Sequence, residues 1–167
     1  DNRESIHASA ESLSKSFVTF VEEDPLIGDV NDAAKKIHQK LKEIESSTKP
    51  TAIVWGGETT VKIKGSGLGG RNQELALIVA ELAHQDPIRK SWTFLSGGTD
   101  GRDGPTEAAG AIVDQETCKR ILNEGYQVYD FLAENNSNKA LKISNDLLHT
   151  GATGTNVADV QILIVSQ

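Results

Sequence analysis

Ten of the 15 glycines in this 167-residue chain fall between Gly56 and Gly104, and that clustering constrains the fold more than any other feature. Glycine permits backbone conformations and close approaches that a Cβ forbids. The stretch therefore reads as a series of tight backbone approaches rather than ordinary core. The four prolines, Pro25, Pro50, Pro87 and Pro105, each stand where a periodic segment stops. No repeat, low-complexity tract or linker divides the chain, and its length fits one domain or one large lobe of a bigger enzyme.

Hydrophobic spacing supplies the elements. Residues 4–15 carry Ile6, Ala10 and Leu13 at helical intervals, and residues 16–21 are aromatic and β-branched like a buried strand. Asp29 to Asp32 looks like a helix start, with acidic groups near the positive end of the dipole. That helix would bury Val30, Ala34, Ile37, Leu41 and Ile44. A short buried strand over 51–55 follows, then a half-exposed strand over 60–64 with Val61 and Ile63 on one face and Lys62 and Lys64 on the other. Further helices are predicted over 71–84, over 115–124 ending at Gly125, and as an amphipathic segment over 138–148. Strands are predicted over 91–95, 109–113 and 160–165, with Trp55 and Trp92 in the core. Such alternation predicts an α/β fold, a layered α/β/α domain. Several links are too short for helical crossovers, so the sheet should be mixed, with glycine-rich loops at its edges.

The charge balance is 17 Lys+Arg against 24 Asp+Glu, net −7, with a pI near 5.1. This argues against nucleic acid or an anionic membrane as the main partner. No apolar run approaches the roughly 20 residues that cross a bilayer. A lone cysteine, Cys118, cannot form an internal disulfide, which points to an intracellular compartment, cytoplasmic or mitochondrial. The chain shows no signal peptide and contains no methionine, so it is read as processed or as a piece of something longer.

Three glycine-bearing clusters carry the chemistry. The first is Gly56-Gly-Glu-Thr-Thr60 followed by Gly65-Ser-Gly-Leu-Gly-Gly-Arg-Asn-Gln-Glu74. Gly65, Gly67 and Gly70 satisfy the spacing of a dinucleotide-binding turn, but the acidic partner about 20 residues on is missing, as is a phosphate-loop lysine. What the run offers is unhindered N–H groups at a helix start followed by Arg71, a combination suited to phosphate or carboxylate. An equally weighted reading is a flexible hairpin in which Arg71 pairs with Glu58 or Glu74. The second cluster, Ser96 to Glu107, holds Asp100 and Asp103 after a predicted strand. These can bind Mg²⁺ or orient a hydroxyl, or they can be ordinary turn residues. The third, Thr150 to Asn156, offers amides and hydroxyls, or simply joins two elements. Asn135-Asn-Ser137 is either an amide-rich contact or a helix cap. The four histidines lack metal-ligand spacing, and only His149 abuts a candidate loop.

Taken together and in order, Gly56-Gly-Glu-Thr-Thr-Val61, Gly69 to Glu74, Ser96 to Gly101 with Asp103 to Thr106, and Thr150 to Val157 resemble the MOFRL domain of the glycerate kinase type-2 family. The similarity covers essentially all 167 residues. The resemblance implies an ATP-dependent kinase that phosphorylates D-glycerate, with some relatives called hydroxypyruvate reductase. It implies two domains with the active site between them, of which residues 1–167 correspond to the C-terminal one. The N-terminal domain, which in the family supplies a lysine, has no counterpart here. Arg71 matches the arginine of the family's cleft, and Glu58, Asn72, Asp100, Asp103, Thr155 and Asn156 match motif positions near it. Leu68 stands where many relatives have a basic residue, and Asn136 replaces the aspartate of an Asn-Asp-Ser pattern.

The resulting expectation is one wall of a phosphoryl-transfer cleft with ATP and Mg²⁺ as cofactors, D-glycerate as substrate and the N-terminal domain as partner. Arg71 and Asp100 would act in catalysis, and Asp103 would bind metal directly or through water. Glu58, Gly65, Gly67, Gly69, Gly70, Asn72, Thr155 and Asn156 would bind substrate or phosphate. The isolated chain should lack activity, since half a cleft does not position both substrates. The competing readings are an NAD(P)H-linked hydroxypyruvate reductase built on the glycine turn, and a non-catalytic ligand-binding domain.

Overall fold

The computed structural model describes residues 1–166. In chain order the elements are α1 (Asn2–Leu13), β1 (Val18–Val21), β2 (Leu26–Asp29), α2 (Val30–Ile44), β3 (Thr51–Thr60), α3 (Arg71–Gln85), β4 (Ser91–Gly98), β5 (Gly110–Asp114), α4 (Thr117–Asn123), α5 (Val128–Ala133), α6 (Ser137–Ser144), β6 (Leu147–Leu148) and β7 (Asp159–Ser166). The seven strands form one sheet ordered β1-β3-β7-β4-β5-β6, with β2 also pairing β3. It is mixed as expected: β1 and β2 run parallel to β3, whereas β7 is antiparallel to both β3 and β4. β1 pairs the first half of β3 and β2 the second half, so two short strands share one edge.

Helices cover both faces, unequally. The principal core lies where α2 and α3 pack on the sheet, burying Ile37, Leu41 and Leu75 against Trp55, Phe94 and Leu163. The expected face of α2 is seen in Val30, Ala34, Ile37 and Leu41, all fully or nearly fully buried, with Asp29 as its N-cap. On the opposite face α1 sets Ile6 against Val54 and Val160.

Several sequence expectations need correction. The strand expected to be buried over 16–21 is the edge strand β1, with Val18 43% and Phe20 53% exposed. The separate strand over 60–64 does not form; β3 runs through the glycine pair to Thr60, and Ile63 beyond it is 77% exposed. The pair does not break the strand because it serves packing. A Cβ at Gly56 would overlap Ile6 of α1, and one at Gly57 would overlap the Leu26 carbonyl of β2. The amphipathic segment over 138–148 stops at Ser144, where Asn145 turns left-handed at φ 62° and leads into β6. Two elements were not anticipated: β2, only four residues long and containing Gly28, and the six-residue α5.

Truncating Phe94, fully buried on the central strand β4, to alanine should lower unfolding stability by about 3–5 kcal/mol. Ile63→Ala should stay within about 0.5 kcal/mol. Urea midpoints at constant m-value check both.

Candidate active site

Register brings the glycine clusters together. Asp159, the first residue of β7, pairs with Gly57 of β3 on one side and Gly98 of β4 on the other. The carboxyl ends of β3 and β4 thus meet the amino end of β7, and the loops over 61–70, 99–109 and 149–158 emerge at this end. Open α/β sheets place ligands beyond the carboxyl ends of their strands. Thr99 ties two loops together: its Oγ1 donates to the Ala158 carbonyl at 2.7 Å and accepts from the Val157 N–H at 2.9 Å.

The amino end of α3 is closed by a side chain from the next loop. Asp103 is buried, and its two carboxylate oxygens accept from the Asn72 and Gln73 backbone N–H groups at 3.0 and 2.8 Å. They also accept from the Asn72 and Gln73 side-chain amides at 3.2 and 2.9 Å. The cap residue of the helix, Gly70, has no side chain to do this, and a Cβ there would collide with the Asp103 carboxylate. The network extends to Ser96, whose Oγ donates to Asn72 Oδ1 at 2.6 Å, and to Thr106, which accepts from Gln73 Nε2 at 3.0 Å. Burial pushes the Asp103 carboxyl above its ordinary range, against the opposing pull of these N–H donors.

The expected anion seat at the start of α3 is thus filled by the protein itself. Asp103 has spent its oxygens on N–H donors rather than keeping them for metal, and the buried Asn72 is bonded inward rather than to a substrate. Among the described residues no group of three or more His, Cys, Asp or Glu side chains is arranged to hold a metal ion.

The amides of the glycine run are also engaged. Gly65 donates to Asn135 Oδ1 at 3.0 Å, Gly67 to the Glu134 carbonyl at 2.8 Å and Leu68 to Asn136 Oδ1 at 3.1 Å. Asn135, in a left-handed conformation at φ 53°, also donates to Glu74 Oε1 at 3.0 Å and to the Lys62 carbonyl at 3.2 Å. The Asn-rich motif is thus a clamp on the glycine loop. Added Cβ atoms at Gly65 and Gly67 would overlap the 134–136 segment, so these glycines serve chain-to-chain contact. Asn136 provides the same acceptor oxygen that an aspartate would. Gly69 lies against Ser137 and Gly70 against Asp103. With the Gly65, Gly67 and Leu68 amides so engaged and no acidic residue at the expected spacing, the reductase reading is not favoured.

Arg71 opens α3 and is held on two sides. Its Nε and Nη2 donate to Asp159 Oδ2 and Oδ1 at 2.6 and 3.1 Å, and its Nη1 donates to Glu58 Oε1 at 2.9 Å. The Asp159 side chain is 2% exposed, Arg71 35% and Glu58 62%. Of the five guanidinium N–H groups three are used and two remain. Arg71 borders a cleft of about 620 Å³ together with Thr59, Thr60, Asp100 and Arg102. Asp100 accepts the Arg102 backbone N–H through Oδ1 at 2.9 Å. Thr155 and Asn156 lie on the exposed part of the 149–158 loop and do not border this cleft. His149 lines a neighbouring hollow with Asp100 and Arg102. Sequence reasoning missed Asp159, although an acidic residue directly before a buried β-run was the available signal. It also missed Gln73 and the clamping role of Asn135.

Residues 51–159 match the model of the MOFRL family, and the chain belongs to that family. It is 44% identical over 142 residues to the D-glycerate 2-kinase of Thermotoga maritima, covering 82% of this chain and 33% of that protein. It is 45% identical over 134 residues to the glycerate kinase of Homo sapiens, covering 78% and 26%. The crystal structure of a glycerate kinase from Thermotoga maritima superposes with a TM-score of 0.93 at 38% identity, over 99% of this chain and 41% of that one. The chain thus spans about a third of the length of the first of these curated relatives.

Removing the acceptor at the start of α3 by Asp103→Ala should lower stability by about 2–4 kcal/mol, since several buried N–H groups lose their partner. Thermal or urea unfolding measures this. Burial also raises the Glu74 carboxyl above its usual range, opposed by Asn135. The folded state then holds that proton more tightly than the unfolded chain, so this group's contribution to stability is lost as pH rises through its folded range. Glu74→Gln should remove the fall in stability that this group causes as pH rises above the ordinary carboxylate range at about 4.

Proposed function

We propose that this chain is the C-terminal domain of an ATP-dependent glycerate kinase, one α/β unit over residues 1–167 that forms one wall of an interdomain cleft. The observation that carries the reading is Arg71, locked by Asp159 and Glu58 yet retaining two N–H groups, at the ligand-binding end of the sheet. Phosphoryl transfer depends mainly on positioning and on neutralising charge, and a guanidinium held in place before reaction does both. Asp100, with Oδ2 left free of the contact that Oδ1 makes, would orient the acceptor hydroxyl of D-glycerate and take up its proton. The relatives named 2-kinase point to the hydroxyl at position 2 as the acceptor.

Charge in the cleft explains the need for a partner domain. Asp100 and Asp103 line the cleft with Arg71 and Arg102, and Arg71 is already paired with Asp159 and Glu58. A nucleotide triphosphate together with a carboxylate substrate carries more negative charge than these two arginines neutralise, so further cations would come from outside this chain. The family resemblance supplies a lysine from the N-terminal domain. Mg²⁺ is bound chiefly by nucleotide phosphates with one or two carboxylates, and here Asp100 is the available carboxylate. When bound, the ion would neutralise phosphate charge; the chain does not build a complete site for it.

No helix among the described residues is long and apolar enough to cross a membrane. The lone Cys118 is buried, and burial together with the Glu81 carboxylate pushes its thiol up, which keeps it protonated and unreactive. A cytoplasmic or mitochondrial setting suits such a thiol.

In a protein joining this chain to the amino-terminal part that its relatives possess, Arg71→Ala should lower kcat/KM for D-glycerate phosphorylation on the order of 10²-fold or more. The 167-residue chain alone should give no turnover with ATP, Mg²⁺ and D-glycerate. Coupled detection of ADP reads both, and near-normal turnover in the variant would contradict the assignment.

A further inference from the structure

We infer that Arg102 binds the carboxylate of the hydroxy-acid substrate and sets its affinity, leaving Arg71 to the group being transferred. This deepens the kinase reading and rests on it. The two arginines border the same cleft but differ in kind. Arg71 is held by two carboxylates, one of them buried, and is fixed in direction. A fixed guanidinium suits charge that develops during transfer, because nothing need reorganise at that moment. Arg102 is exposed, and among the described residues its guanidinium makes no ion pair or hydrogen bond. Its backbone is nevertheless anchored, since its N–H donates to Asp100 Oδ1.

Arg102 stands between the main cleft and a second hollow of about 610 Å³, where Glu107 and His149 are the other ionisable groups beside Asp100. It is thus the cleft's uncommitted positive charge, next to the carboxylate assigned to the acceptor hydroxyl. The carboxylate of a 2-hydroxy acid is one carbon from that hydroxyl, so a ligand held at Asp100 places its carboxylate near the residues that flank Asp100. That charge is the same before and during transfer. Its partner therefore contributes binding equally in both states, which appears in KM rather than kcat.

The test is Arg102→Gln in the protein that joins this chain to the amino-terminal part. The substitution keeps the backbone N–H to Asp100 and alters an exposed side chain. KM for D-glycerate should rise about tenfold, the worth of one charge-assisted hydrogen-bonded pair, with kcat and the KM for ATP changed less than about twofold. The preference for D-glycerate over glycerol, which lacks the carboxylate, should fall by the same factor. A rise in the KM for ATP instead, a loss in kcat alone, or an unchanged KM for D-glycerate would overturn the assignment. If the unsubstituted protein phosphorylates neither compound, the kinase reading fails by itself. Calorimetric titration with D-glycerate then decides on Arg102: tenfold weaker binding in the variant supports it, and equal affinity or no binding by either protein rejects it.

Discussion

One buried carboxylate organises the functional end of this molecule. Asp103, from the loop after β4, accepts the first free N–H groups of α3 and the side-chain amides of Asn72 and Gln73. Helix α3 packs on both β4 and β5, so its amino end must be satisfied without water. A helix start without a capping side chain of its own leaves N–H groups that are costly to bury. Supplying the acceptor from a distant loop satisfies them and also sets the distance between that loop and the helix. The glycines at 69, 70 and 104 follow from this arrangement, since a Cβ at any of them would occupy space that the approaching loops fill.

Arg71 inherits its position from that helix start, and its direction from Asp159. Asp159 stands at the start of β7, paired with Gly57 and Gly98 of the flanking strands. Removing one partner from such a pair leaves the other charge unmatched, which makes the arrangement sensitive to either residue. Glu58 holds the guanidinium from a second side. The cleft is lined by Asp100 and Asp103 beside Arg71 and Arg102, and the chain spans about a third of a curated relative's length.

Much of the architecture was legible in the sequence because periodicity survives where burial is one-sided, as in α2 and the Val160–Val165 portion of β7. The mixed sheet followed from short connections. The Gly56-Gly57 pair was misread because glycine marks both strand ends and close packing, and only the position of Ile6 and Leu26 distinguishes the two. The same ambiguity affected the site. Gly65 and Gly67 looked like open phosphate donors, yet their amides serve Asn135 and Glu134. Asp103 looked like a metal ligand because its caps, Asn72 and Gln73, lie 31 and 30 residues away. Long-range partners of this kind leave no local spacing signal. The ordered motifs identified the family correctly but did not distinguish residues that face the cleft from residues that hold it together.

Asp159 is proposed to act through Arg71, and a double-substitution cycle tests this most directly. Kinetics would be measured for Asp159→Asn, Arg71→Ala and the pair, in the protein that includes the amino-terminal part. If Asp159 serves to aim Arg71, each single change lowers kcat/KM, and adding Asp159→Asn to Arg71→Ala costs less than about threefold more. If the two losses multiply, the residues act independently, and the view of Arg71 as a guanidinium positioned by Asp159 is wrong.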